Sequence, residues 1–442
     1  MRTNVVLFLF FSLAIGCTQK RTRPFNINGI QHLCVHRLTE VIVYDIFTPP
    51  VAGRIYAYSN LAFYEAVRYK NSEAQSITDQ LKEFDTMPSP ENGKQYDFNV
   101  AAIKSFFNVA RALTFSKDSL TKTEKEILKE FESEDDAVLY KNSLTFGDTI
   151  ASAILKRAAA DNYKETRGMP KYSVFKETGK WQQTPPDYLD AIEPNWRLIK
   201  PLLLDSAGQF RPSLPPAYSV DKRSQYHKEL MEVYNVSKKR NSSQDTIAYY
   251  WDDNPFVIGH KGHLMFATKK TTPGGHWMGI ISILCRQINA DDISTAKVYA
   301  LTSAAIFDGF ISCWDEKYRS RMIRPVTVIR ESLEPTWHSF LQTPPFPEYT
   351  SGHSVITAAA STVLTNLLGD NLPFEDTTEM EYLGMKRSFS SITAAADEAG
   401  ISRLYGGIHY RSAIEQGKVQ GQNVGVLYNR KFKELNFQMT GK

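Results

Sequence analysis

The chain has 442 residues, 42% of them apolar and 23% charged, with a formal net charge of +4. That length supports a large buried core, and the composition is ordinary for a globular protein. The basic residues are scattered rather than gathered in a stripe, which excludes a nucleic-acid footprint, and four cysteines are too few for a disulfide scaffold.

The N-terminus reads as an export signal. Met1-Arg2 gives a short basic start, Val5 to Ile15 is largely apolar, and Ala14-Ile15-Gly16-Cys17 closes the segment. The run is too short to span a bilayer and ends on a small residue, as a secretory signal does. Gly16-Cys17 resembles the lipobox of bacterial lipoproteins, with Ala14 where Leu is usual. The expectation is a signal peptide over 1–16, lipidation of Cys17 and a polar tether over 17–30. The protein would then be a bacterial cell-envelope lipoprotein, periplasmic or attached to the outer membrane, touching the membrane through its lipid alone. Cys34, Cys285 and Cys313 lie in apolar or aromatic contexts at no ligand-like spacing, and nothing supports a Cys285–Cys313 bridge.

Helical periodicity dominates the rest. Arg54 to Arg68 sets Ile55, Leu61, Ala62, Tyr64 and Ala66 near one face, after the Pro49-Pro50 turn. Asn99 to Leu113 and Ala137 to Asp161 behave alike, the latter after an acidic stretch suited to a helix start. From Pro170 to Pro216 the periodicity is lost and Pro and Trp are frequent, as in a long irregular connection on the surface. Helical patterns return near Ser224 and over Val298 to Trp314, Ser354 to Leu368, Phe389 to Leu404 and Ile414 to Phe432. Strand alternation is almost absent. The expected fold is all-α, with an N-terminal helical region over 31–215 and a C-terminal bundle over 216–436.

Three segments of the last third carry chemistry. Lys317 and Arg324 are seven positions apart, so both are expected on one face of a helix that Pro325 stops. Thr343 to Tyr349 holds three prolines and reads as a stiff extended approach to Thr350-Ser351-Gly352-His353, which opens an Ala-rich helix. Thr350 or Ser351 suits an N-cap, and Gly352 clears space where backbone N–H groups approach an anion. Ser402-Arg403 closes a further helix that Gly406-Gly407 interrupts, so His409 projects from another direction. Guanidinium forks and an ammonium match anion oxygens, and one His can attack or ligate the central atom while the other moves a proton. The set points to a tetrahedral oxyanion. The groups His260–His263 with His276, and His32 with His36, lack a full ligand set at a known spacing and read as loop or interface histidines.

In this order the three segments resemble the phosphatidic acid phosphatase type 2 / vanadium haloperoxidase superfamily. Lys317 with Arg324-Pro325 matches fully; Thr350 replaces the Pro before Ser351-Gly352-His353; and Ala413 replaces the Asp after Ser402-Arg403 and His409. Pro49-Pro50, Trp251-Asp252-Asp253-Asn254-Pro255, Thr272 to Trp277, Asp308 and Trp314 look like the bacterial haloperoxidase branch. The resemblance implies two four-helix-bundle-like halves. It also implies vanadate bound through His409, held by Lys317, Arg324, Ser351, Gly352 and Arg403, with His353 as acid–base. Trp314 and Phe346 fall where a chloride-type halide pocket would be. The activity implied is halide oxidation by hydrogen peroxide, followed by halogenation of a small organic substrate. The same pocket would serve a soluble acid phosphatase that cleaves a phosphate ester through a phosphohistidine without vanadate, or a non-catalytic anion-binding lipoprotein. Ala413 removes the carboxylate that orients the catalytic His in the phosphatase pattern.

Overall fold

A computed structural model describes residues 29–433 except 133–135, 174–176, 256 and 262–263. The expected signal peptide, Cys17 and most of the tether lie outside the described residues. Five helices open the described residues: α1 (Ile30–Tyr44), α2 (Pro49–Val67), α3 (Phe98–Leu113), α4 (Lys117–Glu132) and α5 (Ala137–Ala159). A one-turn α6 (Tyr163–Arg167) precedes the irregular connection. Then come α7 (Gln225–Lys239), α8 (Ser242–Tyr250), a β1–β2 hairpin (Val257–Lys261, Leu264–Thr268), α9 (Pro273–Gln287) and α10 (Asp292–Ser320). The described residues end with α11 (Pro325–Ser332), α12 (Gly352–Leu368), a small β3–β4 pairing (Phe374–Asp376, Arg387–Phe389) that flanks α13 (Met380–Leu383), α14 (Ile392–Tyr405) and α15 (Arg411–Lys431). Helices build the fold, as the periodicity indicates, and no described helix is long and apolar enough to cross a membrane.

Two helices are buried along nearly their whole length. Pro49 sits at the first position of α2, where its missing N–H costs nothing, so that helix starts earlier than its apolar stripe suggests. Every residue of α2 is buried, as is α10 from Thr295 to Lys317. They pack on each other, and a Cβ at Gly53 would stand 2.8 Å from the Phe310 ring. The opposite flank of α10 meets α12, which packs on α15. There a Cβ at Gly421 would lie 2.1 Å from the Val355 carbonyl oxygen, and one at Gly425 would lie 2.5 Å from Thr362. These two glycines let the α15 backbone close on α12. One hydrophobic cluster runs from Ile30 to Phe432.

Two expectations need correcting. Lys317 and Arg324 do not share a helix. The α10 helix ends at Ser320, Arg321 turns left-handed at φ 53°, and Arg324 is the N-cap of α11. Pro325 therefore opens a helix rather than closing one, since its fixed φ suits the first helical position. The irregular connection is also more than a surface strap: Trp181, Trp196, Leu202 and Leu204 are buried. Asp308 of α10 accepts hydrogen bonds from the Leu202, Leu203 and Leu204 amides and from the Tyr428 hydroxyl. Cys34, Cys285 and Cys313 are buried free thiols.

Candidate active site

The three motif segments meet at the ends of α10, α12 and α14. Trp314 and Lys317 come from the last turns of α10. Ser351 is the N-cap of α12, its hydroxyl accepting the Ser354 amide at 3.3 Å, which leaves Gly352 and His353 in the first turn. Arg403 lies in the last turn of α14. Gly407, at φ 74°, then turns the chain so that His409 returns to the site before α15 begins. The Ser351 amide donates to the Ala413 carbonyl at 3.0 Å, joining the starts of α12 and α15.

A cavity of about 30 Å³ is lined by Gly352, His353, Arg403 and His409, with Trp314, Phe346 and Phe310 as an aromatic wall. Pro49, Pro273, Pro344, Ile408 and Asp252 to Asn254 complete it. A larger groove of about 490 Å³ between α12, α14 and α15 contains none of the motif cations or histidines. Lys317, Arg324 and Ser351 stand behind the small cavity rather than on its wall.

His409 is held on both sides of its ring. Its Nδ1 lies 2.9 Å from Glu348 Oε1, which also accepts the Tyr410 amide at 2.9 Å. Its Nε2 lies 3.2 Å from Arg324 Nη1. Arginine only donates, so Nε2 carries the lone pair and Nδ1 carries the proton, which it donates to Glu348. Burial, reinforced by Arg324, Lys317 and Arg403, holds the His409 pKa well below its usual value and keeps the ring neutral. Glu348 is fully buried, and burial pushes its carboxyl up to about 8 against the pull of Arg324. Either protonation state leaves Oε1 as the acceptor.

The cations are anchored through carbonyls. Arg324 donates Nε to Phe346 O and Nη1 to Ile408 O, while its Nη2 is buried with no partner. Arg403 donates to the Trp251 and Asp252 carbonyls and to Ser402 Oγ. Lys317 donates to Pro347 O, Glu348 O and Thr350 O, and its ammonium stands 4.9 Å from the Phe346 ring centre. Burial lowers both arginines to about 10 and Lys317 to about 8, so all three are charged at neutral pH. His353 Nε2 has no hydrogen-bond partner, and burial followed by Arg403 pulls the ring well below its usual pKa. A Cβ at Gly352 would meet only Trp314, at 3.8 Å. Three buried positive charges, an unused guanidinium donor, a free imidazole nitrogen and a bare backbone approach suit a small oxyanion such as vanadate.

Residues 297–436 match the family description "VCPO second helical-bundle domain". Among solved structures, the chain resembles one described as the first bacterial vanadium-dependent iodoperoxidase. The two share 45% identity and a TM-score of 0.87 over 92% of this chain and 97% of that one. The chain belongs to the vanadium-dependent haloperoxidase family. Holo- and apo-type bacterial vanadium-dependent chloroperoxidases share its fold at TM-scores of 0.69 and 0.68. They are 16% and 15% identical, over 93% and 90% of this chain and 99% and 98% of theirs. No curated protein matches.

Seen as a haloperoxidase-family site, the pocket holds groups that the motifs alone did not disclose. Glu348 supplies the carboxylate on His409 that Ala413 lacks. It was legible only as part of the proline-rich approach, because its partner is 61 residues away. Asp253 Oδ2 lies 3.7 Å from His353 Nε2. His276 is not a loop or interface histidine: it sits in the first turn of α9, fully buried among carboxylates. His32 hydrogen-bonds Tyr299, His36 is exposed, and His263 lies outside the described residues.

Proposed function

We propose that this chain is a vanadate-dependent enzyme that oxidises iodide with hydrogen peroxide. The observation that carries the reading is the His409 lone pair on Nε2, fixed by Glu348 and Arg324 at the wall of a cationic cavity. Bound there, vanadate would supply the Lewis acidity that makes a peroxide oxygen electrophilic towards halide. His409 would ligate it through Nε2. Arg403 and the Gly352 amide would hold its oxygens at the wall, with Arg324 Nη2, Ser351 and the Lys317 charge behind them. Being neutral, His353 can take a proton from incoming hydrogen peroxide and return it to the departing oxygen.

Trp314, Phe346 and Phe310 form a dry wall where a weakly hydrated halide can shed water. Iodide is the halide named in the description of the relative that is 45% identical, an iodoperoxidase. Halogenation of a small organic substrate would follow from the oxidised iodide. The signal-like N-terminus supports export and anchoring through lipidated Cys17. Isothermal titration of vanadate into the wild type should show binding that His409→Ala loses. Equal binding in both would refute His409 as the ligand.

One observation favours a second reading on the same atoms. The Glu348–His409 pair supplies the oriented imidazole that a phosphohistidine route needs, so Ala413 does not disable phosphate-ester hydrolysis.

A further inference from the structure

Beside His353 lies a second buried cluster, of which only Asp253 reaches the oxyanion cavity: Asp253, His276, Asp376 and Glu379. His276 Nε2 lies 2.8 Å from Asp376 Oδ2, and its Nδ1 lies 2.9 Å from Asp253 Oδ1. Glu379 Oε1 approaches that same Nδ1 at 3.6 Å, and it is buried with no hydrogen-bond partner. Two carboxylates thus converge on one ring nitrogen. A single N–H can be aimed at only one of them, whereas a cation at that point would take both. The ligand atoms of Asp253, His276 and Glu379 all lie within 4.8 Å of one another.

The surroundings agree with a cation. A proton on Nε2 donated to Asp376 leaves the Nδ1 lone pair facing Asp253 and Glu379, the carboxylate–histidine–metal arrangement. Four carboxylates, Asp252, Asp253, Asp376 and Glu379, gather there, and Asp252 is paired with Lys270. A groove of about 360 Å³ is lined by Gly275, Thr378 and Met380, the chain neighbours of His276 and Glu379.

We propose that Asp253, His276 and Glu379 bind one divalent ion of the zinc class, with Asp376 orienting His276. One imidazole and two carboxylates with an open position suit such an ion. It would tie the Trp251–Asn254 loop to α9 and to the segment after β3. That loop also presents the carbonyls that hold Arg403, so the ion braces the wall of the oxyanion cavity.

Elemental analysis of the full chain, purified without chelator and dialysed against metal-free buffer, should find about one zinc-class ion per chain, counted apart from vanadium. Glu379→Gln should lose it. His36→Ala, which removes the exposed His36–Glu40–Glu381 group, should keep it. Cobalt chloride added to stripped wild type should give visible d–d absorption. A wild type that holds no stoichiometric divalent ion and takes up none from zinc chloride overturns the proposal, and His276 is then an imidazolium clamped by Asp253 and Asp376. Loss in His36→Ala with retention in Glu379→Gln overturns it equally. Should Glu379→Gln fail to fold, the wild-type count and the cobalt spectrum decide.

Discussion

His409 owes its chemistry to its neighbours. Glu348 accepts the proton side of the ring and Arg324 faces the lone-pair side, so Nε2 is the nucleophilic nitrogen. Replacing Glu348 with Gln leaves an acceptor but offers a donor as well, so the tautomer is no longer enforced. Vanadate affinity should fall about 10- to 100-fold, the usual cost of losing such an orienting partner, as read by titration calorimetry with circular dichroism unchanged. Lys317 makes a pH-dependent contribution of its own. Burial brings its pKa to about 8 from 10.5, with Cys313, Arg324, Glu348 and Glu316 as its charged or ionisable neighbours. Between those values the unfolded chain binds the extra proton, so this group makes stability rise from pH 8 towards pH 10. The cost of burying its charge, on the order of a few kcal/mol, is fully present below pH 8. Urea midpoints of the anion-free protein should show that rise, and Lys317→Met should flatten it. The motif residues were legible because spacing in sequence preserved them. Glu348 was not, because a hydrogen bond across 61 residues leaves no periodic trace.

At the scale of elements, the site depends on how closely α12 and α15 approach. A Cβ at Gly421 would overlap the Val355 carbonyl, and the backbone there cannot yield as a flexible side chain could. Gly421→Ala should therefore destabilise the protein by about 1–3 kcal/mol in denaturant unfolding, although Gly→Ala inside an exposed helix usually stabilises. An unchanged midpoint would show that the two helices separate freely. Helix identity was legible from the apolar period, and Ser351 as an N-cap from its type. The junction after α10 was not. Lys317 and Arg324 keep helical spacing across a left-handed turn at Arg321, and Pro325 serves a helix start as well as a stop.

Across the whole molecule, the irregular connection and the helical core meet at Asp308. Its buried carboxylate accepts three consecutive amides from Leu202 to Leu204 and the Tyr428 hydroxyl of α15. Asp308→Ala strands those donors in the interior and should cost about 3–5 kcal/mol in unfolding free energy. Sequence periodicity could mark that connection as irregular but not as buried, because its contacts come from isolated side chains rather than a repeating face. The most direct measurement is iodide oxidation by hydrogen peroxide with and without added vanadate, beside p-nitrophenyl phosphate hydrolysis by the vanadate-free protein. Iodide oxidation should appear only with vanadate. Confirmed vanadate binding with no iodide oxidation, whether or not the ester is cleaved, would contradict it.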